Sequence, residues 1–126
     1  SLINKKNKLY KKKVLICTLL LSGTTEIKTL NKKFRNKNVS TDVLSFPFYQ
    51  KKKLQDKIDK ENFIYLWDII INLSKIKSKN NSIKFKKELN KLWVHGLIHL
   101  FGFKHKTERD FHTMSKIEKK FLKFIN

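Results

Sequence analysis

The sequence predicts an α+β fold: a small mixed β-sheet with packed helices, and a three-histidine metal site at the end of a long central helix. Three observations point there. Two dense apolar stretches, VLICTLLL and FIYLWDIIINL, are far shorter than a membrane span and read as buried strands. Two later stretches repeat apolar residues at helical period. Where the first of these ends, HGLIHLFGFKH gathers three of the chain's four histidines into eleven residues. A chain of 126 residues fits a single domain with one core, spanning 1–126.

The elements follow in order. Residues 1–12 are polar and basic, with Leu2, Ile3, Leu9 and Tyr10 near helical spacing, and predict a short helix. Residues 13–21 predict a strand. Segment 11–23 mimics the basic and apolar regions of a signal peptide, but no A-x-A-like site follows it. Ser22-Gly23 breaks the strand, Thr24 is a fair N-cap, and Glu26 suits the first turn of a helix to about Arg35. Residues 41–48 alternate, with Val43, Ser45 and Pro47 on one side and Leu44, Phe46 and Phe48 on the other. Pro47 belongs at a sheet edge because it cannot donate to a ladder.

Residues 49–62 read as a lysine-rich loop, and 63–73 as a strand interrupted by one carboxylate, Asp68. After a turn at 80–82, with Ser82 as its cap, a long helix carries Phe85, Leu89, Leu92, Trp93, Leu97, Leu100 and Phe101 as its stripe. Gly102 ends it. Thr107 to Asp110 has the form of a capping box, opening a helix with Phe111, Met114, Ile117, Phe121 and Phe124 on one face.

Thirty Lys+Arg against ten Asp+Glu leave a formal charge of +20. Such a field favours a polyanion such as nucleic acid, the ribosome or an acidic membrane surface over an acidic protein. Abundant Lys, Asn and Ile are also what AT-rich coding DNA produces, so part of the excess reflects composition alone. The one cysteine, Cys17, has no internal partner and sits among apolar neighbours. That favours a reducing compartment and an inert thiol.

His95 and His99 are four residues apart, hence on one helix face. Gly102 then permits a turn that swings His105 back toward them. The spacing H-x3-H-x2-G-x2-H matches the zinc ligands of metzincin peptidases. Three imidazoles are the ligand set of catalytic rather than structural zinc. The peptidase glutamate after the first histidine is Gly96 here, which disfavours peptide hydrolysis but leaves the metal ligands intact. His112 is off the pattern.

Three blocks carry a resemblance to a known family: HGLIHLFGFKH at 95–105, LNKKFRNKNVSTDVLSFPF at 30–48 and LWDIIIN at 66–72. Together, in this order and with Met114 in the last helix, they resemble the YbeY-type rRNA maturation factors, single-domain metal-dependent endoribonucleases. The resemblance implies hydrolysis of RNA phosphodiesters, with small-subunit rRNA near its 3′ end as substrate, one Zn²⁺ per chain on His95, His99 and His105, and ribosome quality control in a bacterial cytoplasm or organellar matrix. Relative to the family pattern, the opening strand is absent or shortened, Lys104 replaces an Asp, and Trp67 replaces a Gly, so that its strand is expected to end differently.

Zinc at this site lowers the pKa of water without a protein base, or polarises a phosphoryl oxygen; the sequence leaves both open. Arg35 is one of two arginines among thirty basic residues and occupies the family's motif position. It is the candidate to face the developing phosphate charge. Arg109 is a weaker candidate. Asp42 can brace its loop, and Asp68 can orient a ligand imidazole or face water. Thr41 and Ser45 can bond substrate or local backbone. Phe103 and Trp67 can stack on an unpaired base or belong to the core. The lysine runs at 5–13, 51–60 and 75–87 can track phosphates. The rival to the enzyme is a basic, non-catalytic ribosome-assembly factor with a structural metal; a degenerate zinc peptidase is the third reading.

Overall fold

In the computed structural model, residues 13–47 and 49–125 are described. The helix predicted for 1–12, the expected absence or shortening of an opening strand, and Phe48 therefore lie outside the described residues. The described residues form strands β1 (Val14–Ser22), β2 (Val43–Pro47) and β3 (Phe63–Asn72), and helices α1 (Thr24–Arg35), α2 (Lys51–Lys60), α3 (Ser82–Leu100) and α4 (Glu108–Ile125). The sheet order is β1-β3-β2, with β1 parallel and β2 antiparallel to β3. It is thus the small mixed sheet the sequence predicts, and Pro47 falls on an edge strand; β1, expected to be buried, is instead the other edge strand and leaves Val14, Leu19, Leu20 and Leu21 exposed.

The central strand β3 is apolar nearly throughout because both its faces are covered along its second half. Successive strand residues point to opposite faces. Ile69 and Ile71 join Leu54, Ile58, Leu66 and Leu100 in one cluster, against which Val43, Leu89 and Trp93 also pack. Ile70 points the other way, into a second cluster with Ile27 and Leu44. Helices α2 and α3 therefore cover one face and α1 the other. A third cluster, of Val94, Ile98 and Met114, joins α3 to α4.

Asn72 closes β3. It is fully buried, and its Nδ2 lies 3.1 Å from Thr24 Oγ1, 3.2 Å from Ser40 Oγ and 3.2 Å from the Thr41 carbonyl. One amide thereby ties the start of α1 to the segment entering β2.

Several predicted details change. The loop expected over 49–62 contains α2. Its stripe is only two residues, Leu54 and Ile58, each 3% exposed and one turn apart, set among lysines that hide the period. Side-chain pairs Lys57–Glu61 and Lys60–Asp56 reinforce it at i,i+4. Asn81, not Ser82, caps α3, its Oδ1 accepting from the Ile83 and Lys84 amides. Gly23 rather than Thr24 stands at the N-cap of α1. The capping box holds: Thr107 Oγ1 accepts from Asp110 N at 3.1 Å, and Asp110 Oδ2 from Thr107 N at 3.3 Å.

Strand β3 runs past Trp67, as expected for a strand over 63–73. It continues to Asn72 through a bulge, since Ile16 pairs with Tyr65 while Cys17 pairs with Trp67. Trp67 adopts φ 96°, where a residue with a Cβ is strained. A glycine would suit that backbone, and this chain holds it with an indole. Burial, then the neighbouring Asp68 carboxylate, pushes the Cys17 thiol above its ordinary pKa and leaves it protonated. Among the described residues, no helix is long and apolar enough to cross a membrane.

Helix α3 lies against the sheet at Gly96. A Cβ there would stand 2.6 Å from Ile69 Cγ2 and 3.2 Å from Val43 Cγ2. Gly96→Ala gains ~1 kcal/mol of helix propensity but forces α3 off the strands. It is expected to destabilise the protein by about 1–3 kcal/mol, read as a lower midpoint in urea unfolding. A midpoint at or above wild type would show that the sheet yields there without cost.

Candidate metal centre

The last turns of α3 carry His95 and His99 one above the other. Gly102, at φ 91°, turns the chain out of the helix, its amide donating to the His99 carbonyl at 2.9 Å. His105 then comes back beside the pair. Ring centroids lie 4.6 Å apart for His95–His99, 4.9 Å for His99–His105 and 5.7 Å for His95–His105. One ring nitrogen of each lies within 4.8 Å of the others. His105 is the exposed member, so the cluster opens outward.

The hydrogen bonds around the rings decide what those nitrogens are. His95 Nδ1 meets Glu118 Oε1 of α4, and His99 Nδ1 lies 2.8 Å from the Phe103 carbonyl oxygen. Both partners are acceptors, so both Nδ1 atoms carry the proton. In the neutral rings the Nε2 lone pairs then face each other, 3.0 Å apart. Two lone pairs at that distance repel unless a cation or proton lies between them. Two imidazoles on one zinc ion at ~2.0–2.1 Å would hold their nitrogens ~3.3 Å apart, close to this spacing. The donor set therefore fits a metal ion. Burial holds the His99 pKa below its ordinary value, and the neighbouring imidazoles and the Arg35 charge disfavour its protonation further, against the pull of the Phe103 carbonyl. His99 is kept neutral, the form that binds metal.

Gly96 explains why no peptidase carboxylate follows His95. The residue is buried against Ile69 and Val43, so that position faces the sheet rather than the metal. The zinc-peptidase reading loses its base on steric grounds.

Arg35 ends α1. Its Nη2 donates to the Ser45 carbonyl at 2.5 Å, and its guanidinium lies 6.0 Å over the Phe46 ring. Asn31, buried at the same helix end, donates to the Val39 carbonyl at 2.9 Å and fixes the loop that follows. Arg35 is thus held on β2, near enough for its charge to bear on His99.

The other candidates go elsewhere. Asp68 does not reach an imidazole; it accepts from the Tyr65 hydroxyl at 3.0 Å. Asp42 accepts from the Val43 amide at 2.8 Å, bracing the strand entrance. Thr41 Oγ1 donates to the Val43 carbonyl. Ser45 is buried, whereas His112, Arg109 and Lys104 are exposed, and none of them joins the histidine cluster. Phe103 packs against Val94, Ile98 and Met114 as core, whereas Trp67 is 39% exposed.

Sequence reasoning missed Glu118. The signal was present: it lies four residues after Met114, on the face of α4 that packs against α3, and is one of ten acidic residues in a chain of +20. It also supplies a ring-orienting carboxylate that Lys104 does not.

The model of the family described as endoribonuclease YbeY matches residues 1–126. Endoribonuclease YbeY of Pelagibacter ubique is 48% identical over 123 residues, covering 96% of this chain and 76% of the relative. Endoribonuclease YbeY of Buchnera aphidicola from Schizaphis graminum is 36% identical over 126 residues, covering 96% and 74%. The solution structure of a Thermotoga maritima protein superposes with a TM-score of 0.51 at 26% identity, covering 96% of this chain and 76% of that one. With its fold, its clustered histidines and these likenesses together, the chain belongs to the YbeY family of endoribonucleases.

Proposed function

We propose that residues 1–126 form one zinc-dependent endoribonuclease domain that cuts single-stranded rRNA, near the 3′ end of the small-subunit RNA, within the cytoplasm or an organellar matrix. It acts there in rRNA maturation and ribosome quality control. The observation that carries the chemistry is the pair of facing Nε2 atoms in His95 and His99, with His105 beside them. The family carries the substrate.

In this reading His95, His99 and His105 hold the zinc ion. When bound, the ion supplies Lewis acidity toward water and phosphoryl oxygen. The chain's own groups do the rest. Glu118 and the Phe103 carbonyl fix the tautomers and ring planes of His95 and His99. Arg35, held by the Ser45 carbonyl, offers its remaining N–H groups to a phosphate and stabilises charge that grows on the phosphoryl oxygens. Lysines around the site draw the RNA in through a salt-dependent field. Three ligands opening on an exposed His105 favour catalytic over purely structural metal, and hence the enzyme over the assembly-factor reading.

Elemental mass spectrometry of the untagged chain is expected to find about one zinc per chain, lost in His99→Ala. No metal, and no uptake from micromolar zinc, would sink this reading. Glu118→Gln keeps the shape but removes the carboxylate charge; its zinc affinity is expected to fall ~10–100-fold in a competitive chelator titration. Unchanged affinity would assign Glu118 to helix packing alone. Arg35→Ala is expected to keep its zinc and lower kcat/KM for RNA by ~10²–10³-fold. Cleavage within a few-fold of wild type would remove Arg35 from the machinery and leave the metal site standing.

A further inference from the structure

Trp67 is the residue that neither the core nor the metal centre explains. It holds φ 96°, a region bulky residues rarely adopt, and yet its side chain is 39% exposed. The bulge in β3 aims it. Its ring meets Tyr65 edge to face, with centroids 5.4 Å apart. Tyr65 is itself fixed: its hydroxyl donates to Asp68 and is bonded to Thr18 Oγ1. Asp68 is the cross-strand partner of Phe46, over whose ring the Arg35 guanidinium lies. Phe34 packs edge to face on Phe46 at 5.5 Å, and Lys33 Nζ lies 5.4 Å over the Phe34 ring. Contacts thus run without a break from Arg35 through Phe46 and Asp68 to Tyr65 and Trp67.

We propose that Trp67, backed by Tyr65, is a stacking platform for one unpaired base of the RNA strand whose phosphate lies at Arg35. The proposal rests on the ribonuclease reading and adds a contact to it. Unpaired bases stack on exposed aromatic rings while cations hold the backbone, and here Trp67 and Arg35 stand at the two ends of one run of contacts. A side chain held on a bulge and braced by a hydrogen-bonded tyrosine loses little freedom on binding.

The test uses the full chain and a single-stranded RNA oligonucleotide, with a series in which one nucleotide at a time is abasic. Trp67→Gly adopts φ 96° without strain and so preserves the fold. It is expected to raise KM for cleavage roughly tenfold with kcat nearly unchanged, and Trp67→Phe to restore most of the loss. One abasic position should raise KM for wild type but not for Trp67→Gly. A KM within twofold of wild type, or the same abasic penalties in both proteins, would overturn the platform and leave the nuclease reading intact. Failure of the wild type to cleave RNA would overturn both.

Discussion

Helix α3 can approach the sheet because Gly96 has no side chain. Ile69 and Val43 fill the space a Cβ would need, so the helix backbone rests directly on these two side chains. The glycine costs ~1 kcal/mol of helix propensity, and the burial of Ile69 and Ile71 with Leu100 of α3 at this interface offsets it. The histidine pair is placed by the same contact. His95 precedes Gly96 and His99 lies one turn after His95, so both rings leave α3 beside the face that meets the sheet. Arg35, held on β2 through the Ser45 carbonyl, sits near the same edge. One missing methyl group thereby brings a helix from one face of the sheet within reach of a cation from the other.

The second constraint is tautomeric. A metal site needs nitrogen lone pairs aimed at one point, and imidazoles alone do not choose which nitrogen to offer. Glu118 and the Phe103 carbonyl choose for His95 and His99. They come from α4 and from the turn after α3, so the packing of α4 against α3 through Met114 is part of the site rather than mere support. Burial of His99 acts in the same direction by disfavouring its charged form.

In a chain this basic, the carboxylates also show where specific bonds are needed. Glu118 orients an imidazole, Asp110 closes a capping box, Asp68 fixes Tyr65, Asp42 braces β2, and Glu88 accepts from Ser78 Oγ and the Lys77 amide. Each makes a hydrogen bond at a chosen place, while the lysines supply a diffuse field. The division suits a protein whose partner is a polyanion, since the attraction is long-ranged and the geometry local.

The sequence by itself determined the elements whose signal is local. The strands at 14–22 and 63–72 were legible from apolar density, α3 and α4 from their stripes, the edge position of Pro47 from its missing N–H, and the proximity of His95, His99 and His105 from spacing around Gly102. Helix α2 was not legible, because two buried residues among lysines leave no period to read; only contact with β3 and α3 makes Leu54 and Ile58 a face. The bulge at Trp67 was not legible either, since it arises from the register of β1 against β3, a pairing between segments far apart in the chain. Glu118 and the placement of Arg35 were likewise decided by the fold. Glu118 of α4 meets His95, and the Ser45 carbonyl of β2 meets Arg35, only when these elements pack, and no local pattern encodes either meeting.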